Sequence, residues 1–383
     1  MWQKIKNLYH LAQAFFAAIY FSFPSKKLTV IGVTGTDGKT TTINMVYHIL
    51  KSMSKKVSVI SSVGAQIGEK SFDTGFHVTT PSPWQVQKYL KKAIDSGSQY
   101  FVLETTSHGL DQNRLAFVDF KVGVLTNITH EHLDYHKTFE NYREAKLKLF
   151  QKVKFSIINA DDDSYGYIKN RVGGKVISYS KNGKGNYNLS NALAAIAATG
   201  VLGVGRHQAE KALKTFPGVR GRMEDIKLGQ PFRVIVDFAH TPNGLSEALK
   251  FLRSQLTTKS SRLIAVFGAA GERDKSKRPL LGQAADESTN IIVLTAEDPR
   301  SEYTQTICEE IAKGIKKKKI NKDYFIVDDR GAAIEFAIKL AAARDIVGIF
   351  GKGHEKSMAY GKVETPWDEF KVAREAISKK LNG

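Results

Sequence analysis

Two hydrophobic rhythms alternate along most of this chain. Short runs of aliphatic and β-branched residues give way to longer stretches whose apolar positions recur every three or four residues. Strands are predicted for the run that begins at Thr29, and for Val57–Ser61, Tyr100–Glu104, Val122–Asn127 and Phe155–Asn159. Helical spacing over Ile43–Leu50, Trp84–Ser96 and Phe139–Lys152 separates most of them. A helical stretch from Leu189 to Lys214 leads into Pro217–Arg222 (PGVRGR), a natural boundary. Strands resume at Phe232–Asp237, Leu263–Gly268, Asn290–Thr295, Tyr324–Val327 and Ile346–Phe350, again with helices between. Alternation of this kind predicts an α/β chain with a doubly wound, parallel sheet in each of two domains. The expected boundaries are 29–217 and 218–383.

Ahead of the first strand, residues 1–28 read as an amphipathic helix segment. Trp2, Ile5, Tyr9, Ala12, Phe16 and Ile19 recur at helical spacing, and the FSFPS run Phe21–Ser25 stops them. Lys4, Lys6, Lys26 and Lys27 flank the apolar face. Two roles stay open for it, packing on its own domain or lying on a membrane surface.

The first strand runs into TGTDGKT (Thr34–Thr40), followed by Thr41 and Thr42. Glycines after a strand let backbone N–H groups close on phosphate oxygens, and the dipole of the following helix favours negative charge. Lys39 can reach the β- and γ-phosphates, and the Thr40 hydroxyl can ligate Mg²⁺. The spacing departs from GxxxxGK[ST], because Gly32 and Gly35 stand six and three positions before Gly38. ATP is the expected nucleotide, held by Gly35, Thr36, Asp37, Gly38, Lys39, Thr40 and Thr41 in a P-loop-type ATPase domain.

Composition narrows the setting. The balance of 57 Lys+Arg against 38 Asp+Glu gives a net charge of +19, which suits an anionic partner without choosing among nucleotide, polyanionic substrate, nucleic acid and anionic membrane. A single cysteine, Cys308, excludes a disulfide framework and a cysteine-based zinc site. With the nucleotide chemistry, it points to a reducing cytoplasm. No apolar run reaches the roughly 18–20 residues that span a bilayer.

Polar clusters follow several predicted strands, at the strand ends where open α/β sheets bind their ligands. Glu104 opens one, ETTSHG, and is placed to hold a metal beside the phosphate loop. His130, Glu131, His132 and Asp134 crowd another. The second domain offers DFAHTP from Asp237, GAAGERDKSKR from Gly268, EDPR from Glu297 and GKGHE from Gly351. Arg273, Arg278 and Arg300 can form bidentate contacts with substrate carboxylates. No Ser-His-Asp or Cys-His arrangement supports covalent nucleophilic catalysis.

These motifs, together with Thr79–Pro81 (TTP), Ser107–Arg114 (SHGLDQNR), His132–His136 (HLDYH), Tyr142–Lys146 (YREAK), Asn159–Asp162 (NADD), Tyr187–Asn191 (YNLSN) and Gly221–Glu224 (GRME), resemble the Mur ligases of peptidoglycan synthesis. Within that family they resemble the MurE-type members that add the third peptide residue. The resemblance runs in order from about residue 29 to the end. It implies a central ATPase domain followed by a Rossmann-like C-terminal α/β domain. It also implies ATP with two Mg²⁺ ions, a muramoyl-L-Ala-D-Glu-type acceptor, a diamino acid and an acyl-phosphate intermediate. On this footing Lys39, Glu104, His132 and Lys146 are catalytic, and Thr40, Glu104, His132 and Lys146 hold the metals, Lys146 as a carbamate. Asn191, Arg222, Asp237 and His240 hold ATP from the C-terminal side. Thr79, Thr80, Ser107 and Arg114 hold the acceptor; Arg273, Arg278, Asp298, Arg300, Gly351 and Glu355 bind on the amine side. EDPR resembles the DNPR motif of members that add meso-diaminopimelate, whose arginine grips the distal carboxylate, and this favours diaminopimelate over lysine.

Departures from the family shape the remaining expectations. Only 28 residues precede the phosphate-loop strand where the family carries a UDP-binding domain, and the Asn159–Asn191 segment is short. Asp37 replaces the usual asparagine. The acceptor can therefore be anchored through its peptide alone, by a separate UDP-binding partner, or through a lipid carrier at the inner membrane face. The alternatives within the superfamily are a cyanophycin-synthetase-like or a folylpolyglutamate-synthetase-like ligase. A Mur-like amidotransferase partner would need a four-cysteine zinc ribbon that one cysteine cannot build. No nucleic-acid partner is expected, since no nucleic-acid-binding module appears.

Overall fold

The computed structural model describes residues 2–73, 79–183 and 187–383, with the side chains of Trp2, Lys4 and Tyr187 outside the description. The predicted contributions of Trp2 and Lys4 to the first helix, and of Tyr187 to its motif, therefore lie outside the described residues. The chain divides into two compact units. Unit 1 comprises Met1–Thr129 and His136–Pro217, and unit 2 comprises His130–Tyr135 and Gly218–Gly383.

Unit 1 is built on β1 (Thr29–Thr34), β2 (Val57–Ser61), β3 (Gly64–Ile67), β4 (Lys70–Phe72), β5 (Tyr100–Glu104), β6 (Phe120–Leu125), β7 (Phe155–Asn159) and β8 (Lys175–Tyr179). Their order is β4-β3-β2-β5-β1-β6-β7-β8. The six strands from β2 to β8 run parallel, and the β3–β4 hairpin adds an antiparallel edge. Central strands are buried on both faces, as the unbroken burial of β2 illustrates, so they read as continuous apolar runs rather than alternating ones. Helix α1 (Trp2–Tyr20) precedes the sheet, α2 (Lys39–Ser52) follows β1, and α3 (Pro83–Asp95) and the short α4 (Ser107–Asp111) flank β5. One apolar core lies on each face of the sheet, the first including Val30, Phe101 and Phe150, the second Ile31, Ile43 and Val102.

Unit 2 repeats the plan with β9 (Glu224–Ile226), β10 (Arg233–Asp237), β11 (Leu263–Phe267), β12 (Ile291–Leu294), β13 (Tyr324–Ile326) and β14 (Ile346–Phe350). Their order is β13-β12-β11-β14-β10-β9, parallel except for β9. A separate hairpin pairs β15 (Ser357–Tyr360) with β16 (Val363–Pro366). Two further cores, one around Val234 and Ile334 and one around Leu249 and Ile311, cover the two faces of this sheet.

Several predicted boundaries move, among them that of the helix expected over Phe139–Lys152, which ends at Leu147 ahead of a 3-10 turn over Lys148–Phe150. The strand expected over Val122–Asn127 ends at Leu125, because Thr126 and Asn127 turn their side chains to the Asp37 carbonyl at 2.6 and 3.3 Å. The helical stretch expected over Leu189–Lys214 is two helices, Tyr187–Gly200 and Arg206–Leu213. Gly203, at φ 89°, supplies the break.

Candidate active site

The phosphate loop of unit 1 is fixed before any ligand is considered. Gly35 and Gly38 sit at φ 151° and 79°, and a side chain on Gly35 would meet the Thr126 hydroxyl at 1.8 Å. The loop after β6 holds it in shape: Thr36 N donates to the Asn127 carbonyl at 2.8 Å, and Asp37 N donates to Asn127 Oδ1 at 2.9 Å. Thr36 Oγ1 accepts from Thr129 N at 2.9 Å and lies 3.0 Å from the Tyr142 hydroxyl. Gly38 caps α2, so the first N–H groups of a 14-residue helix point out of the loop where an anion is stabilised. Lys39 is half-buried and its Nζ donates to the Thr36 carbonyl at 2.8 Å. Thr41 is also half-buried, two positions further along α2.

Glu104 ends β5, the neighbour of β1, and is 1% exposed. Its two carboxylate oxygens each lie 3.1 Å from Thr40 Oγ1, and Ser62 N donates to one of them at 2.8 Å. The Ser62 hydroxyl is 2.9 Å from Thr40 Oγ1. This hard-oxygen set beside the phosphate loop fits Mg²⁺, which takes one or two carboxylates and completes its shell with phosphate and water. Among the described residues no group of three or more His, Cys, Asp or Glu could hold a metal. Lys146 is 1% exposed; its Nζ donates to the Gly35 carbonyl at 2.6 Å and lies 4.3 Å from the Tyr142 ring centre.

Beside this cradle the expected acceptor residues form a connected group. Thr80 Oγ1 donates to the Glu104 carbonyl at 3.3 Å, and Arg114 Nη1 donates to the Thr80 carbonyl at 3.1 Å. Thr79, next to it, is half-buried. Ser107 Oγ lies 3.0 Å from His136 Nε2, and burial with the nearby His108 pushes the His136 pKa down to about 4. Asn191 is buried with its Oδ1 against Gly38, where a side chain on that glycine would meet it at 2.2 Å, and its Nδ2 has no hydrogen-bond partner among the described residues. That amide is aimed at the loop a nucleotide would occupy. Asn191 thus sits in unit 1, although the sequence grouped it with the C-terminal contacts.

Unit 2 gathers its polar residues at the carboxyl ends of its parallel strands. Asp237 ends β10 and accepts from Met223 N and Ala239 N, both at 2.8 Å. Arg222 stacks 4.5 Å from the Phe238 ring centre, and His240 Nδ1 lies 2.9 Å from the Phe238 carbonyl. His132, half exposed at φ 58°, belongs to the His130–Tyr135 segment of this unit. Beside it, Glu131 pairs with Lys277 at 3.0 Å, both nearly buried.

After β12, Asp298 and Arg300 adopt φ 46° and 52°, a strained loop secured by Arg300 Nη1 donating to the Gly271 carbonyl at 2.6 Å. Asp298 accepts from buried Lys352 at 2.9 Å, and Lys352 pairs at 2.5 Å with Glu355. Arg273 is exposed. Arg278, expected on the amine side, is fully buried, and its guanidinium pairs with Glu302 at 2.9 Å and Glu310 at 2.7 Å, which ties its own helix to neighbouring elements.

Sequence reasoning did not read three charges here as buried: Glu297 and Lys352 stood in the EDPR and GKGHE clusters, and Arg330 in no motif. Arg330 is fully buried, donating to the Ala296 carbonyl at 3.0 Å, to the Phe350 carbonyl at 2.8 Å and to the Glu369 carboxylate. Lys352 stands behind the loop. Glu297 packs against Gly351, where a side chain on the glycine would meet its carboxyl oxygen at 2.1 Å. Motif membership marked two of these residues as polar loop positions, and nothing local in sequence separates a buried charge from a solvated one.

Comparison with known proteins follows the same two-unit division. The family model described as the Mur ligase middle domain matches residues 33–187, and the one described as the Mur ligase, glutamate ligase domain matches 221–353. The chain is 38% identical over 404 residues to the UDP-N-acetylmuramyl-tripeptide synthetase of Borreliella afzelii (strain PKo), covering 94% of this chain and 79% of the relative. It is also 38% identical over 409 residues to the UDP-N-acetylmuramoyl-L-alanyl-D-glutamate–2,6-diaminopimelate ligase of Syntrophomonas wolfei, covering 97% and 82%. A solved structure of a ligase with that same activity in its title superimposes with a TM-score of 0.60 at 31% identity, over 92% of this chain and 79% of the other. Folylpolyglutamate synthase from Mycobacterium tuberculosis gives a TM-score of 0.70 over 97% and 95% of the two chains, but at 15% identity the likeness is one of fold.

Proposed function

This chain belongs to the Mur ligase family of ATP-dependent amide ligases, and on that footing we propose that it adds meso-diaminopimelate to a muramoyl-L-Ala-D-Glu-type acceptor in peptidoglycan synthesis. The observation that carries the reading is the buried pairing of Thr40 with Glu104 beside the Gly35–Lys39 turn. It joins an anion cradle and a hard-oxygen site on adjacent strand ends.

In the proposed reaction a carboxylate oxygen of the acceptor attacks the γ-phosphorus of ATP, and the bond to the ADP oxygen breaks. The diamino acid's free amine then attacks the carbonyl carbon of the acyl phosphate, phosphate leaves, and the amine's proton passes to solvent. The N–H groups at the start of α2 and the Lys39 ammonium bind phosphate oxygens and hold the transferring group in line. Mg²⁺ held by Thr40 and Glu104 would supply charge neutralisation at the β- and γ-phosphates. Lys146 is buried where a carbamate on its Nζ could support a second ion, with His132 assigned to the metals by resemblance. Thr79, Thr80, Ser107 and Arg114 orient the acceptor. Asn191, Arg222, Asp237 and His240 hold the nucleotide. Arg300, with Asp298, Arg273, Gly351 and Glu355, receives the amine substrate, its guanidinium meeting the distal carboxylate that lysine lacks.

The test is phosphate release and product analysis with purified protein, ATP and Mg²⁺, crossing muramoyl-dipeptide acceptors (UDP-linked, lipid-linked and carrier-free) with diaminopimelate and lysine. Coupled ADP and tripeptide formation with diaminopimelate is expected. Arg300→Ala should lower kcat/KM for diaminopimelate by about tenfold or more while sparing lysine, as loss of one charged hydrogen-bond pair implies. An unchanged amine preference would contradict the assignment.

A further inference from the structure

Helix α1 is seated with its small, polar side inward. Ala14, Ala17 and Ala18 are buried, Asn7 Nδ2 donates to the Asp111 carbonyl at 3.0 Å, and Asn113 Nδ2 donates to the Asn7 carbonyl at 3.2 Å. Its outer side carries the large apolar residues: Ile5, Leu8, Tyr9, Phe16, Ile19 and Tyr20 are 49% to 70% exposed. These positions recur at helical spacing and form one stripe along a 19-residue helix. Aromatic neighbours in unit 1 broaden it, because Phe15 meets Phe117 at 5.5 Å between ring centres and Tyr20 meets Trp84 at 5.1 Å. Phe117 and Trp84 are themselves 42% and 43% exposed. A helix that served only its own domain would turn this stripe inward, since burying it is the main source of helical stability in a folded protein.

The border of the stripe is cationic. Lys6, Lys26 and Lys27 are exposed, as is Lys88, one turn beyond Trp84 on α3. No Asp or Glu precedes Asp37 in the sequence. A contiguous apolar patch with a charged rim marks an interaction surface, and the sign of the rim selects the partner. A second copy of a +19 chain would bring like charge against like charge. An anionic lipid surface offers both complements, acyl chains for the stripe and headgroups for the lysines. Among the described residues no helix is long and apolar enough to cross a membrane, so the geometry is that of a helix lying in the interface plane.

We propose that α1, extended by Trp84 and Phe117, docks unit 1 on an anionic lipid surface. The docking stands independently of which acceptor or amine the active site takes. Co-sedimentation of the full chain with vesicles of phosphatidylcholine alone, and of phosphatidylcholine with phosphatidylglycerol, tests it at low and high salt. The chain should pellet with the anionic vesicles and release partly as salt rises. The triple variant Leu8→Ser/Phe16→Ser/Tyr20→Ser should partition at least about tenfold less, with its circular dichroism spectrum retained and its melting temperature lowered only slightly, since the three side chains are 64% to 70% exposed and only the Tyr20 ring packs on Trp84. Lys26→Glu/Lys27→Glu should lose roughly tenfold on anionic vesicles only. Equal pelleting of the triple variant and the unmodified chain would overturn the proposal. So would a dimer in sedimentation velocity that the same triple variant dissolves, because that would assign the stripe to a second copy.

Discussion

Glu297 stands at the end of β12 with its carboxyl sealed from water, and burial pushes its pKa from 4.5 up to about 8, against the opposing pull of Arg330 and Lys277. The folded protein therefore keeps this proton at pH values where the unfolded chain releases it. Stability from Glu297 is complete below about pH 4.5 and is lost progressively as pH rises through about 8. Glu297→Gln retains the shape without the ionisation, so its denaturation midpoint should fall less between pH 5.5 and pH 8.5 than that of the unmodified protein. Parallel declines in the two proteins would refute the assignment. At Lys39 the expectation concerns chemistry. Lys39→Ala should abolish ATP-dependent turnover while leaving the circular dichroism spectrum unchanged, since the side chain is half-buried on the phosphate loop, its ammonium donating to the Thr36 carbonyl, and lies outside the apolar cores.

Elements in unit 2 are joined by contacts that tolerate little added volume. The helix Lys277–Ser288 crosses the end of the helix Thr304–Ala312 so closely that a side chain on Gly282 would meet the Ile311 carbonyl at 2.0 Å. Gly282→Ala should cost about 1–3 kcal/mol, read as a lowered denaturation midpoint. Arg330 joins the ends of β12 and β14 to the C-terminal helix through Ala296, Phe350 and Glu369. Arg330→Met would strand the buried Glu369 carboxylate and should destabilise by roughly 3–5 kcal/mol, a larger effect than any single surface change. Calorimetry of this variant at pH 7 would measure it.

At the scale of the whole molecule, each unit carries two apolar cores of its own among the described residues. Unfolding should therefore depart from a single two-state transition. Gly282→Ala should lower only the transition of unit 2. ATP with Mg²⁺ should raise the transition of unit 1, by about 2.7 kcal/mol at a hundredfold excess over Kd. A single calorimetric peak that shifts as one body in both experiments would show the two units to be energetically fused.

The sequence by itself determined the strand order of events along the chain, the phosphate loop and the family. β-branched runs, glycine turns and a Gly-Lys-Thr junction are local patterns whose physics acts within a few residues, and β2, β5, β7 and β14 lie where the apolar runs predict them. The short edge and hairpin strands β3, β4, β9, β15 and β16 carry no such run, because a strand of this kind is stabilised by its partner. Only the tertiary structure decided which charges are buried. Arg278 and Arg300 look alike in sequence, yet one is enclosed by two carboxylates and the other stays half exposed on a strained loop. It also decided which way α1 faces: helical spacing defines an apolar stripe, but alanines and Asn7, small enough to approach α3 and the Asp111–Asn113 turn, won the inner side. Spacing is a property of one element, whereas burial depends on what the rest of the chain brings beside it.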